Sequence, residues 1–228
     1  MIYKPTNDYV FDRVYDGIRR LALSGDLLPG ARLHIDNLAG EFDVSSTPVR
    51  EALNRLVAED IIDMEPKAGF FTKHVSEVEI RDLLDINQLL LDWSLDPARE
   101  RLGGYIPWPR FDVMTSAERS PEPPSAHHLA KVTGELFSHI ARQSRNSKVA
   151  AYVAHVNDRL HYLRLREYEF IPDAGMELRR LCVLCHEGKF RALRDALRDD
   201  HVQQSRRLPQ VLKQMVLYPK AGTMENHI

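Results

Sequence analysis

Two short amphipathic stretches, residues 35–42 and 47–57, are separated by only Asp43-Val44-Ser45-Ser46. This break constrains the chain most, because so few residues join two helices only through a tight corner. The first stretch turns Leu38, Ala39 and Phe42 to one side. The second turns Val49, Ala52, Leu53, Leu56 and Val57 inward, at the three- and four-residue spacing of a helix face. Thr47 is expected to cap the second helix, with Pro48 at its first position, where a missing N–H leaves nothing unpaired. Upstream, Val10, Phe11, Val14, Tyr15, Ile18, Leu21 and Ala22 form another apolar stripe. Asn7 or Asp8 caps that helix, Gly25 ends it, and Leu28-Pro29-Gly30 follows as a turn. Downstream, residues 61–65 and 70–75 read as extended around Pro66-Lys67-Ala68-Gly69, a hairpin signature. Three helices and a hairpin, with two helices split by a tight turn, is the plan of a winged helix-turn-helix.

Beyond residue 75 the pattern is helical. Ile80, Leu83, Leu84, Ile86, Leu90, Leu91 and Trp93 mark a long helix expected to end near Arg101, before Gly103-Gly104. Residues 103–125 hold five prolines and read as a loop enclosing a short helix. Residues 126–143, 147–168 and 173–217 give three or four further helices, broken at Asn146, Pro172 and Gly188. The expected fold is mainly α: a winged helix-turn-helix over residues 1–75, then an all-α antiparallel bundle over 76–228. No repeat and no heptad run long enough for a coiled coil is present.

Composition bounds the function. Hydrophobic residues at 43% and charged residues at 28% are ordinary for a globular chain, which excludes a disordered one. No apolar run approaches the roughly 20 residues that span a bilayer, and the start lacks a secretory core, so a cytoplasmic location is expected. Cys182 and Cys185 fit a reducing compartment. The 31 Lys and Arg are outnumbered by 33 Asp and Glu, a net charge of −2. The first 75 residues are no more basic, with nine cations against twelve anions. Any contact with DNA must therefore come from a local arrangement of cations and not from a basic domain.

Such an arrangement is legible. Ser45, Ser46, Thr47 and Arg50 sit at the start of the second helix, opposite Val49 and Leu53. Arg grips guanine with two hydrogen bonds, Ser and Thr bond bases or phosphates, and a helix N-terminus favours a phosphate oxygen. Arg55 lies further along the helix. Lys67 and Gly69, at the hairpin tip, place a cation beside a residue that lets the backbone approach a minor groove. Taken singly, each is a cap or a solvated side chain. Their order along one plan of helices and hairpin makes them a candidate DNA-reading set.

The stretch carrying Gly25, Leu28-Pro29-Gly30, Leu33, Leu38-Ala39, Val44-Ser45, Thr47-Pro48-Val49-Arg50-Glu51-Ala52-Leu53, Leu56 and Gly69 resembles the GntR family of bacterial regulators. The helical remainder, about 150 residues, looks like the FadR-like (FCD) branch of that family. The resemblance implies a homodimer that binds palindromic operator DNA and releases it on binding a small metabolite, most often as a repressor. Thr47 and Arg50 match DNA-contacting positions of the family. Ser46 stands where an Arg is common, and Asp36 where the branch's namesake has an Arg, which implies a different half-site.

Many members of that branch bind a divalent metal through one Asp and three His. The corresponding positions here are Thr133, Phe137, Leu178 and His201, of which only the last is a ligand type, so no metal and no cofactor is expected. Glu135 and His139 form a rival pair at i and i+4, expected to face away from the cavity. Cys182-Val183-Leu184-Cys185-His186 spells a haem-attachment motif, but it lies in a helical pattern without an export signal and reads better as a buried pair. A redox switch is a weaker alternative there. Asn87 and Leu91 replace the Arg and Glu of the branch, which implies a less polar pocket. The helix holding Tyr152, His155, Asn157, Arg159, Tyr162, Arg164 and Arg166 is rich in groups that bind an anionic or aromatic ligand. The candidate effector set is Asn87, Thr133, Phe137, Tyr152, Arg159, Leu178 and His201, and the candidate effectors are a carboxylate, an aromatic acid or an acyl-CoA. An enzyme on the helical half finds no phosphate-cradling loop, nucleophile elbow or zincin motif. A ligand-free architectural DNA-binding protein is the third reading.

Overall fold

In the first unit, helix α1 (Asn7–Leu23) lays its apolar stripe on helix α3 (Ser46–Ala58). Val14 and Ile18 of α1 are fully buried there, as are Val49, Ala52, Leu53 and Leu56 of α3. Helix α2 (Ile35–Phe42) adds Leu38 to the same core. Strands β1 (Arg32–Leu33), β2 (Ile62–Glu65) and β3 (Gly69–Thr72) form an antiparallel sheet in the order β1-β3-β2, with Arg32 opposite Phe71 and Glu65 opposite Gly69. The computed structural model describes residues 7–24, 27–96, 124–171 and 173–217, which fall into two units, one within Met1–Val75 and one over Ser76–Leu217.

The expected hairpin is therefore one part of a three-stranded sheet. Two residues of β1 are too few to show alternation, so the sequence carries no periodic signal for them. Thr72 holds that strand in place: its Oγ1 donates to Leu28 O at 2.7 Å and accepts from Ala31 N at 2.9 Å. Gly30 N donates to Thr72 O at 3.2 Å. Gly30 has φ +76°, and a Cβ on it would stand 2.4 Å from the His74 ring. Only glycine meets both conditions at this turn.

A second correction concerns the start of α3. Ser45 is its N-cap, without a side-chain cap bond, and Thr47 is already the second helical residue. Pro48 then sits third, still in the first turn, where backbone N–H groups have no intrahelical acceptor. Gly25 and the side chains of Asn7 and Asp8 lie outside the described residues.

The second unit holds α4 (Glu77–Ser94), α5 (Ala126–Gln143), α6 (Ser147–Phe170), α7 (Ala174–His186) and α8 (Phe190–Leu217). Capping explains three starts: Ser76 accepts from Glu79 N, Ser125 from His128 N, and Asn146 from Lys148 N and Val149 N. The 173–217 stretch is two helices because Gly188, at φ +67°, closes α7. Helix α4 ends at Ser94, with Leu95 as its C-cap, and not near Arg101 as expected; residues 97–123, which hold most of the expected 103–125 loop, lie outside the described residues. Helix α5 packs on α6, and α8 packs on both α4 and α7. Asp92 of α4 accepts two bonds from Arg194 of α8, at 2.8 and 2.6 Å.

Candidate nucleic-acid interface

Helices α2 and α3 meet at Asp43, which takes a left-handed conformation (φ 51°, ψ 56°) as the C-cap of α2. Val44 N donates to Ala39 O at 3.0 Å and closes the corner. Burial of Val49, Leu53 and Leu56 then fixes the rotation of α3. Its opposite side, at the N-terminal end, exposes Ser45, Ser46, Thr47 and Arg50. This is the arrangement a groove-reading helix needs: hydrogen-bonding side chains and unpaired backbone N–H groups together at one end.

The wing tip is the Pro66-Lys67-Ala68 turn, closed by Ala68 N donating to Glu65 O at 3.1 Å. Lys67 is exposed and has φ 68°; Gly69 follows at φ +115°. A Cβ on Gly69 would lie 3.7 Å from Nε of Arg32, so the exposed Arg32 flanks the wing tip as a second cation. Sequence reasoning missed Arg32 because it missed β1. Lys73 is committed elsewhere, to Asp63 at 2.9 Å and to Asp60.

Arg55 has partners within its own unit. Although exposed, its guanidinium is folded back over the Tyr15 ring, 4.4 Å from the centroid, and its Nε donates to Glu59 at 2.9 Å. The Tyr15 hydroxyl donates to the other Glu59 oxygen. Burial, then the bond to Glu59, pushes Tyr15 up to about 12. Arg55 thus ties α3 to α1.

The expected effector residues divide into two groups. Asn87, Phe137 and His201 line one small internal space between α4, α5 and α8. Thr133 lies one turn before Phe137, buried, with its hydroxyl 2.8 Å from that of Tyr168. Leu178 is a buried core residue of α7. Tyr152 and Arg159 do not reach this space. They lie seven residues apart on another face of α6, where Tyr152 is exposed and Arg159 pairs with Glu79. Asn157 and Arg164 of the same helix are the buried polar pair.

The four residues that the resemblance would set at metal positions do not form a set of ligands. The Thr133 hydroxyl also bonds Leu129 O at 2.9 Å, Phe137 and Leu178 have no donor atom, and His201 Nε2 lies 3.1 Å from Asp85. Glu135 and His139 do not converge: Glu135 pairs with Lys131 at 3.7 Å, while His139 is buried beside Gln143. Cys182 and Cys185 are free and buried, and burial pushes the Cys182 thiol up to about 12 and Cys185 higher still. Neither is a ready nucleophile at neutral pH. Among the described residues, no helix is long and apolar enough to cross a membrane.

Residues 11–72 match the sequence profile described as "Bacterial regulatory proteins, gntR family". The chain is 26% identical over 149 residues to the Nta operon transcriptional regulator of Aminobacter aminovorans, covering 65% of this chain and 70% of that one. It is 44% identical over 71 residues to the transcriptional regulator McbR of Escherichia coli, 31% of each chain. The solved structure of E. coli McbR/YncC superposes with a TM-score of 0.63 at 19% identity, covering 94% of this chain and 99% of that one. The gluconate operon transcriptional repressor of Bacillus licheniformis is 36% identical over 91 residues, 40% of this chain and 35% of that one. These relatives are transcriptional regulators and not enzymes, and the structural likeness supports a winged helix-turn-helix joined to a helical unit.

Proposed function

We propose, for a chain whose residues 11–72 match the profile of the gntR family of bacterial regulatory proteins, that the whole protein is a ligand-responsive transcriptional repressor of the FadR-like branch. Residues 1–75 are its DNA-binding domain. Residues 76–228 bind a small effector and pair two copies. The reading rests on one observation: α3 buries Val49 and Leu53 while Ser45, Ser46, Thr47 and Arg50 stand exposed at its start.

Arg50 and Thr47 read base edges or phosphates in the major groove, and Lys67 with Gly69 follows the backbone into the minor groove. A homodimer sets two such helices about one DNA turn apart, on a palindromic operator in the cytoplasm. The effector acts by preferring one spacing of the heads, and its effect on DNA affinity is bounded by that preference. Repression is the reading favoured by the likeness to the gluconate operon repressor.

The test is a mobility-shift titration on the DNA upstream of the chain's own coding region. Retarded complexes are expected at low salt, weakening steeply as salt rises. Absence of any complex with that DNA at low salt, from folded protein, removes the reading.

A further inference from the structure

In an acidic unit, the cations left unpaired matter more than their number. Nine Lys and Arg stand against twelve Asp and Glu in residues 1–75. Lys73 holds Asp60 and Asp63, and Arg55 holds Glu59. Arg13 donates to Phe42 O at 2.9 Å. Arg50 stands exposed on the reading helix. Arg32 and Lys67 stand exposed at the wing, and among the described residues no ion pair or side-chain hydrogen bond engages either.

The sheet places Arg32 there. β1 is an edge strand of the order β1-β3-β2; Arg32 lies opposite Phe71, and Phe71 lies opposite Asp63. Directly paired residues project to the same side, so these three share one face. Gly69 is two residues before Phe71 on β3 and belongs to that face, diagonal to Arg32. It has no side chain to hold Arg32 off, and the guanidinium runs along the wing tip. Nε and Nη2 lie 3.7 and 3.8 Å from the place that a Cβ on Gly69 would take. The two acids of β2 on this face do not neutralise it. Asp63 is held by Lys73 at 2.9 Å. Glu65, opposite Gly69, forms no ion pair with Arg32.

An arginine seated in this way suits a minor groove. That groove is about 6 Å wide, and A·T tracts narrow it further, which concentrates negative potential. A guanidinium is planar and more weakly hydrated than an ammonium, so it gives up water there more readily. A G·C pair presents the guanine amino group in this groove, a donor facing another donor. Lys67, beside it at the turn, is a flexible point charge that suits the flanking phosphates.

We infer that Arg32, from the strand before the helix-turn-helix, enters the minor groove beside the wing tip and gives the protein a preference for A·T over G·C pairs there. The inference deepens the proposed DNA-binding reading and rests on it. It adds to the reading helix a second element of sequence choice, set by groove width and by the absence of an amino group.

The test compares full-length wild type and Arg32→Gln on the DNA upstream of the chain's own coding region, prepared with adenine or with 2,6-diaminopurine in its place. Diaminopurine adds an amino group to the minor groove of each A·T pair and leaves the major-groove edge as it was. On adenine DNA, Arg32→Gln is expected to bind at least about fivefold more weakly, with an unchanged urea midpoint. On diaminopurine DNA the wild type is expected to weaken by a similar factor, and Arg32→Gln to change little. Equal binding of the two proteins to adenine DNA overturns the inference and leaves the regulatory reading standing. So does an equal loss in both on diaminopurine DNA, which would assign Arg32 to the phosphates or to the sheet alone. No complex of the wild type with adenine DNA removes the regulatory reading, and the inference with it.

Discussion

The Arg55 guanidinium lies over the Tyr15 ring, 4.4 Å from its centroid, while both side chains bond the same carboxylate, Glu59. This triad fastens α3 to α1. Cation–π contact and a two-oxygen acceptor together are more than a surface ion pair supplies. Arg55→Ala is therefore expected to lower the urea midpoint of the DNA-binding unit while leaving DNA affinity per folded molecule close to wild type. A loss of affinity as large as that of Arg50→Ala, with an unchanged urea midpoint, would return Arg55 to the DNA-contacting set.

Arg50 is the converse case. It is exposed on α3, and no ion pair engages it among the described residues. Arg50→Ala should leave circular dichroism and the melting temperature unchanged. A base-contacting arginine is worth about 1–3 kcal/mol of discrimination, so operator affinity should fall by roughly tenfold or more. If Arg50 bonds phosphate instead, binding weakens evenly across sequences and the salt slope drops by about one. Equal affinity of variant and wild type at all salt concentrations would remove Arg50 from the interface.

Much of this was legible in the residues. The helices of both units follow from stripes such as Val49, Leu53 and Leu56, and from breakers such as Asn146 and Gly188. The reading face of α3 follows too, since burying one side of a helix exposes the other. What stayed hidden depends on contacts distant in the chain. The strand Arg32–Leu33 pairs with Phe71 and Phe70, and the turn that leads into it is tied at Leu28 and Ala31 to Thr72, about 40 residues away. Arg55 looks free until Tyr15 is brought beneath it. On α6 the sequence presents Arg159 and Arg164 alike, and only packing shows that the first pairs with Glu79 while the second is buried with a free edge.

Gly30 offers a test of the turn that carries β1. Its φ of +76° is strained for any residue with a Cβ, and the added atom would stand 2.4 Å from the His74 ring. A non-glycine residue in such a conformation costs about 1–3 kcal/mol before any clash is counted. Gly30→Ala is expected to lower stability by at least that order in chemical denaturation. The companion His74→Ala should recover part of the loss, because it removes the clash and leaves the strain. Wild-type stability for Gly30→Ala would show that this turn does not need glycine.

Asp200 contributes to the pH response of the helical unit, beside Glu167, whose carboxyl burial also raises. Burial, reinforced by Glu167 and Glu177 and opposed by Arg164 and Arg207, raises its carboxyl from 3.8 to about 7. The folded chain thus prefers the protonated acid, while the unfolded chain ionises near its ordinary value. The contribution is fully present below pH 3.8 and is lost as pH climbs to about 7, beyond which it no longer changes. A tenfold weakening of an acid on folding corresponds to about 1.4 kcal/mol. Asp200→Asn removes the titration, so its stability advantage over wild type should grow from pH 4 to about 7 and then level off. Buried His139 and His161, both held low by desolvation, titrate in both proteins and cancel in the difference. Urea midpoints measured across that range decide the matter: a constant difference between the two proteins would mean that Asp200 is ionised in the folded state throughout.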